Sequence, residues 1–410
     1  MSILKEVDVL VIGAGPSGTI AASIINKAGL SVQIVEKMLF PRFVIGESLL
    51  PRCMEALDEA GFLDALKAKQ FQEKQGAKFV MDDKDCDFNF SWQFTKGWGW
   101  TWQVPRADFD KTLADECEKM GIPLHYETEV TDIRFFDSYS LTTVKTKDGT
   151  EETIRARFIV DGSGYGRVIP KLLGLEKASS QKPRKALFAH LEDPKRSSAY
   201  EPDRIIICVH NPDTWIWVIP FSNGNTSVGY VGDASFFDAY PGTDTDKLKA
   251  MIADQPILKD RFADFKMVWD VPKSLQSWSA TTDSFYGKGF VLTGNVTEFL
   301  DPVFSSGVTL ASVSAQTAAN LVIKELNGEQ VDWENDYMNF MKRGVDVFRT
   351  YVNAWYDGTL FKIFFADNRN MDIMAQICSV LAGYVWDEAN PFVKNHEKNV
   401  RTLSKYLTVY

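Results

Sequence analysis

Lys74 opens the stretch Lys74-Gln-Gly-Ala-Lys-Phe79, close behind Lys67 and Lys69. A lysine can hold and polarise an electrophile in two ways. As an ammonium it donates a hydrogen bond; as a neutral amine it attacks. Burial favours the neutral form by depressing the pKa. On composition alone, however, Lys67, Lys69, Lys74 and Lys78 read as a solvated helix face. Further on, Trp215-Ile-Trp-Val-Ile-Pro220 alternates with period two, so Trp215, Trp217 and Ile219 share one face of a strand. Two indoles side by side can wall off a bound group. They can equally be core residues of a sheet, which is what the pattern by itself favours.

A second kind of chemistry is written near the start of the sequence. Gly13-Ala14-Gly15-Pro16-Ser17-Gly18 lies between an apolar run from Val7 and a helical stretch from about Pro16 to Ala28. Gly13 permits the tight turn, Gly15 lets a pyrophosphate approach the backbone, and Gly18 allows helix and strand to pack closely. The next apolar run, from Ser31, ends at Glu36-Lys37, where a carboxylate can take both hydroxyls of a ribose. Strand, glycine turn, helix, strand and acidic terminus together point to a dinucleotide.

Three later segments choose the dinucleotide. Phe158-Ile-Val-Asp161-Gly162-Ser-Gly, Gly289-Phe-Val-Leu-Thr-Gly294-Asn295 and Val104-Pro-Arg106-Ala-Asp-Phe-Asp resemble, in order and spacing, flavin-contacting segments of the FAD monooxygenase superfamily. That resemblance implies FAD, with Asp161 and Gly162 in a second contacting turn, Val130 nearby, Gly294 against the ribityl chain and Arg106 near the cofactor. The family's usual Gly-Asp pair is Gly294-Asn295 here.

Within the superfamily, Trp215-Ile-Trp-Val-Ile-Pro220 matches the W-x-W-x-I-P signature of flavin-dependent halogenases, of the tryptophan-halogenase-like phenol and pyrrole branch. The resemblance makes Trp215, Trp217, Ile219 and Pro220 a barrier between flavin and substrate. Phe40-Pro-Arg42-Phe-Val-Ile-Gly46-Glu-Ser48-Leu-Leu-Pro is similar to a segment that covers the flavin in halogenases and in geranylgeranyl reductases alike. Asp301-Pro302-Val-Phe304-Ser-Ser306-Gly307-Val308 resembles the loop beside the isoalloxazine ring. Its successive N–H groups at Ser306 and Gly307, opening a helix, suit a halide; an ordinary serine-capped helix start would look the same. Lys74 falls at the place of the family's essential lysine. Asn353-Ala-Trp-Tyr-Asp-Gly and Leu381-Ala-Gly-Tyr-Val-Trp resemble the halogenases' helical tail, so the likeness spans nearly the whole chain.

The resemblance implies an oxidoreductase that takes reduced FAD from a separate flavin reductase. With oxygen and halide it would halogenate an electron-rich aromatic through Lys74. Halogenases of free tryptophan carry a glutamate where this sequence has Phe304. A phenol or pyrrole is therefore the expected substrate, since its own acidity can replace an enzyme base. Some members of that branch use carrier-tethered substrates. Two alternatives remain at this point. One is an FAD monooxygenase or geranylgeranyl-reductase-like flavoprotein without halide chemistry. The other is a non-catalytic flavin carrier or redox sensor.

The positioning elements follow from pattern and punctuation. At 410 residues the chain calls for more than one packed unit. The expected class is α/β: a Rossmann-type, three-layer FAD-binding domain with a parallel sheet, an antiparallel substrate-side sheet and a helical C-terminal segment. The expected division is 1–178 plus 280–325 for the FAD domain, with substrate-side strands near 79–104. Residues 179–279 form the second sheet, and 326–410 the helical segment. Strands are expected at Trp98 to Val104, Ile205 to Val209, Trp215 to Ile219 and Thr226 to Val231. A net charge of −10 argues against a nucleic-acid surface. Five scattered cysteines without metal-ligand spacing, four isolated histidines and no long apolar run suggest reduced thiols, no metal site and no membrane span. A cytoplasmic protein is expected.

Overall fold

The computed structural model describes residues 3–179, 181–196, 201–276 and 280–407. Two sheets organise them. In the first, of eight strands, five run parallel in the order Phe290–Leu292, Glu151–Asp161, Ile3–Ile12, Val32–Val35 and Leu124–His125, while Tyr286–Gly287, Ser140–Thr146 and Thr128–Phe135 add antiparallel pairs. The register puts Ile12 opposite both Val35 and Asp161, and Asp161 opposite Leu292. Three turns and Glu36 therefore emerge side by side at the carboxyl edge of one sheet, where open α/β sheets bind ligands. The helix Pro16–Lys27 follows the first turn, with proline at its start where no intrahelical donor is lost. Against it packs Ser306–Leu326, a helix of 21 residues.

The second sheet has seven strands, in the order Lys273–Gln276, Lys185–Glu192, Asn225–Gly232, Thr214–Pro220, Arg204–Asn211, Gly76–Met81 and Lys84–Asn89. All its pairings are antiparallel except that between Arg204–Asn211 and Gly76–Met81. Alternation splits its two faces cleanly. Trp215, Trp217, Ile219, Ala186 and Phe188 join the apolar cluster shared with the FAD-side elements. Ile216, Val218, Leu187, Val228 and Tyr230 pack instead with Leu248, Met251 and Ile252 of the helix Asp244–Asp254. From Trp333 the chain is helical to Tyr406 apart from short connections. No helix among the described residues is long and apolar enough to cross a membrane.

The α/β class and the mostly antiparallel second sheet are as expected, and the three strands of the second half expected at 205–231 are present. The strand expected from Trp98 shrinks to Thr101–Gln103. Gly97 and Gly99 break the alternation. A side chain on Gly97 would strike the Tyr384 hydroxyl, 2.1 Å away, and one on Gly99 would crowd the Ser91 backbone, 3.2 Å away. Trp98 and Trp100 thus sit half-buried in a loop, Trp98 edge-on to Trp100 and Trp100 edge-on to Trp102, and only Trp102 occupies a strand.

Cross-strand pairing fixes the indole of Trp217. It lies over Gly229 of the neighbouring strand, where a β-carbon would come within 2.2 Å of the ring. Gly229→Ala is expected to cost about 1–3 kcal/mol through overpacking, read as a lowered urea midpoint together with altered tryptophan fluorescence.

Candidate active site

The carboxyl edge of the first sheet and the inner face of the second enclose a cavity of about 550 Å³. Its floor is the first turn. Gly13 adopts φ +93°, and a β-carbon on it would meet the Gly162 carbonyl at 2.7 Å. A side chain on Gly18 would fall 1.9 Å from the Gly13 carbonyl. Neither position tolerates one. Gly15, Pro16 and Ser17 line the cavity, while Ala14 donates its N–H to Glu36 Oε2 at 2.8 Å. Glu36 Oε1 takes the N–H of Met38, so the carboxylate is fixed at the cavity wall. Lys37, at the rim, is mostly exposed and ion-paired with Glu129, and Val130 lines the same end.

The second and third turns close in from the neighbouring strands. Asp161 does not line the cavity. Its carboxylate accepts N–H bonds from Ser163 at 3.0 Å and Ile169 at 2.7 Å, shaping the turn that presents Gly162. Burial raises its pKa. Gly294, with φ +60°, donates to Ser314 Oγ and touches Ala311, so it likewise shapes its turn from behind; Asn295 faces the cavity.

A strap of residues 42–50 crosses this space. Arg106 holds it, donating from Nη1 to the carbonyls of Ile45 and Gly46, while Asp110 engages Nε and Nη2 of the same guanidinium. Arg106 lines the cavity, but its charge is answered within the protein. Arg42 shares Asp110 and also faces the site, with Nη2 3.5 Å from where a side chain on Gly15 would begin. That is a fitting place for a cation beside a pyrophosphate. Beyond Gly46 the strap zips onto the strand Thr101–Gln103: Val104 donates to the Glu47 carbonyl and Leu49 to that of Trp102. Glu47 and Ser48 line the cavity, and each keeps one buried side-chain oxygen without a partner among the described residues.

On the far wall stand Trp215, Trp217 and Ile219. They are both buried and cavity-lining, so the two readings of the motif describe one face. Pro220 ends the strand outside the cavity wall. Trp217 Nε1 donates to Ser227 Oγ, and Trp215 Nε1 to the Tyr356 hydroxyl, which in turn donates to Asp301 Oδ2 at 2.9 Å. Burial raises the Asp301 pKa to about 6. Asp301 thus ties its loop, the strand of Trp215 and the C-terminal helix together, while Pro302, Gly307 and Val308 line the cavity. Ser305 takes a left-handed conformation, φ +57°, and the helix begins at Ser306. The first N–H groups of that helix, at Ser306 and Gly307, carry its positive end.

Lys74 lies behind the strap, outside the cavity. It is fully buried in the short strand Gln72–Lys74, paired with Thr101–Gln103, and is no part of a solvated helix. Its amine donates to the Leu49 carbonyl at 2.8 Å and sits 5.4 Å from the centre of the Phe90 ring. Burial pulls its pKa down from 10.5 to about 7. The Phe304 ring packs against Phe79, Tyr351 and Trp355 and brings no carboxylate to this region.

The residues present fit FAD. The glycine cradle leaves room for a pyrophosphate, Glu36 for a ribose, and the buried oxygens of Glu47 and Ser48 lack the partners a polar ligand would supply. The FAD binding domain family matches residues 6–324. The chain belongs to that family. It is an FAD-dependent oxidoreductase, and its relatives are flavin-dependent halogenases along nearly its whole length. A 1H-pyrrole-2-carbonyl-[peptidyl-carrier protein] brominase of Pseudoalteromonas luteoviolacea is 26% identical, covering 94% of each chain. A chlorinase named for the same substrate, from Pseudomonas fluorescens, is 28% identical over 90% of this chain and 88% of its own. A solved flavoprotein/dehydrogenase from Cytophaga hutchinsonii is 56% identical, with a TM-score of 0.96 over 98% of both chains. The expected family and cofactor are borne out.

Sequence reasoning missed Glu47, His190 and Tyr356. Glu47 was visible between two assigned residues. Tyr356 lay within the tail motif Asn353-Ala-Trp-Tyr-Asp-Gly but had no role assigned to it, and no local signal marks His190, which comes from a distant strand.

The buried amine has a testable thermodynamic signature. With a folded pKa of about 7 against 10.5 in the unfolded chain, the unfolded state binds the extra proton between those values, so stability rises with pH across that window. Lys74→Met should remove that slope. Its urea midpoint should exceed that of the wild type at pH 7, and the advantage should vanish toward pH 10.5.

Proposed function

We propose that this protein halogenates an electron-rich aromatic, a phenol or a pyrrole, with Lys74 delivering the halogen. The observation that carries the reading is a fully buried lysine whose amine touches the reverse of the strap lining the cofactor cavity. Bound reduced FAD, with oxygen and halide, supplies the oxidised halogen. The chain's own groups do the rest. The N–H groups of Ser306 and Gly307 offer a halide the positive end of a 21-residue helix. Trp215 and Trp217 keep an organic substrate away from the flavin, because each ring is packed and hydrogen-bonded in place. Lys74, its pKa lowered to about 7, is available near neutral pH as an amine or as a hydrogen-bond donor. Phe304 offers no base, so the substrate must lose its proton by its own acidity. The names of the two pyrrole-carrier relatives support a pyrrole-type acyl group, delivered on a carrier protein. Reduced FAD would come from a separate reductase. The 56%-identical flavoprotein/dehydrogenase supports a second reading, an FAD oxidoreductase without halide chemistry.

Mixing the protein loaded with reduced FAD with oxygenated buffer, with and without bromide, separates the two. The halogenase reading expects bromide to lower the hydrogen peroxide yield and a chemical trap to capture oxidised bromine. Lys74→Ala should keep flavin reoxidation but reduce product bromination at least a hundredfold, on the order of a lost catalytic group. Hydrogen peroxide in full yield whatever the halide would leave the second reading.

A further inference from the structure

Glu47 is the one carboxylate of the strap, and the strap holds it rigidly. The backbone is pinned on one side by Arg106 at Ile45 and Gly46, and on the other by the bonds of Glu47 and Leu49 to the adjoining strand. The side chain is 1% exposed. Its Oε1 meets His190 Nε2 at 2.5 Å. The imidazole is itself confined, 4.2 Å from the Trp269 ring centre and edge-on to Phe43 and Phe221. Arg106, which feels the charge of Glu47, is committed to Asp110 and the strap carbonyls, and Lys273 sits over the Trp269 and Phe43 rings that flank His190. Oε2 is buried and has no partner among the described residues. A carboxylate oxygen left so is costly unless a ligand brings a donor. Glu47 lines the cofactor cavity, and halide and pyrophosphate carry no donor. Flavin does, in the N–H groups of its ring and the hydroxyls of its ribityl chain.

We infer that Glu47, anchored by His190, is a cofactor-contacting residue whose second carboxylate oxygen accepts a hydrogen bond from an N–H or O–H of the bound flavin. The inference rests on FAD binding and is independent of halogenation. Apo-protein is titrated with oxidised FAD by flavin fluorescence, and the midpoint potential of the holoprotein is measured anaerobically without halide. Glu47→Gln and Glu47→Met are compared with wild type, each checked for folding by thermal unfolding.

A hydrogen bond to a charged acceptor corresponds to a loss of about tenfold or more. Weaker binding of oxidised FAD at an unchanged potential supports the contact and assigns the donor to a group present in both redox forms. A potential lowered by about 30 mV per tenfold for the two-electron couple also supports it, and assigns the donor to the reduced ring. His190→Gln, which loosens the anchor but spares the free oxygen, should show a smaller loss of the same kind. Affinity within about twofold of wild type and potential within about 10 mV overturn the inference. So does tighter binding, because the carboxylate would then be an unfavourable neighbour of the flavin. Should Glu47→Met not fold, the isosteric Glu47→Gln decides alone.

Discussion

Backbone touches backbone where the first turn, the first helix and the second turn meet. A β-carbon on Gly18 would lie 1.9 Å from the Gly13 carbonyl, and one on Gly162 would lie 3.0 Å from the Gly18 amide. Nothing larger than hydrogen fits at Gly18, and a side chain at Gly162 would press on the Gly18 amide. This contact sets how near the strands Ile3–Ile12 and Glu151–Asp161 bring their turns to the helix Pro16–Lys27. It therefore sets the position of every other element that borders the cavity. The strap lines the same cavity as these turns, and the helix from Ser306 packs along the helix Pro16–Lys27. A fold that closes so tightly on its own main chain leaves free amides and a shaped hollow at the sheet edge.

From that edge outward, hydrogen bonds rather than apolar contacts decide where the chemistry stands. Arg106 and Asp110 spend their charges on each other and on the strap, so they act as a bracket. Trp215, Tyr356 and Asp301 form a chain that joins a strand, a C-terminal helix and the loop before the long helix. Buried polar networks of this sort fix a single arrangement, because a member out of place leaves its partners unsatisfied. The C-terminal helices therefore belong to the site although none of their residues borders the cavity.

Local signals made much of this legible in advance. The glycine fingerprint, the two acidic strand ends and the alternation of Trp215 to Ile219 are dictated by neighbours in the chain, and the structure places each at the cavity or directly behind it. What stayed hidden depends on distance. Lys74 looked like part of a solvated face because its charged neighbours dominate the stretch; the strand pairing with Thr101 that buries it joins residues 27 apart. The shortening of the strand at Trp98 turns on Tyr384, far along the chain. His190 and Tyr356 meet their partners only after both sheets and the last helices have assembled.

The strap has two sides, and that has a consequence of its own. Glu47 and Ser48 face the cofactor cavity, while the carbonyl of the very next residue, Leu49, holds the Lys74 amine. One short piece of main chain thus borders the cavity and holds the buried amine. Any free energy with which a bound cofactor moves that carbonyl is returned by the lysine, through its protonation, to the cofactor's own affinity, since such coupling is reciprocal by necessity. The strap is thus at once a wall of the cavity and the support of a buried amine, and a shift in it would be felt at both.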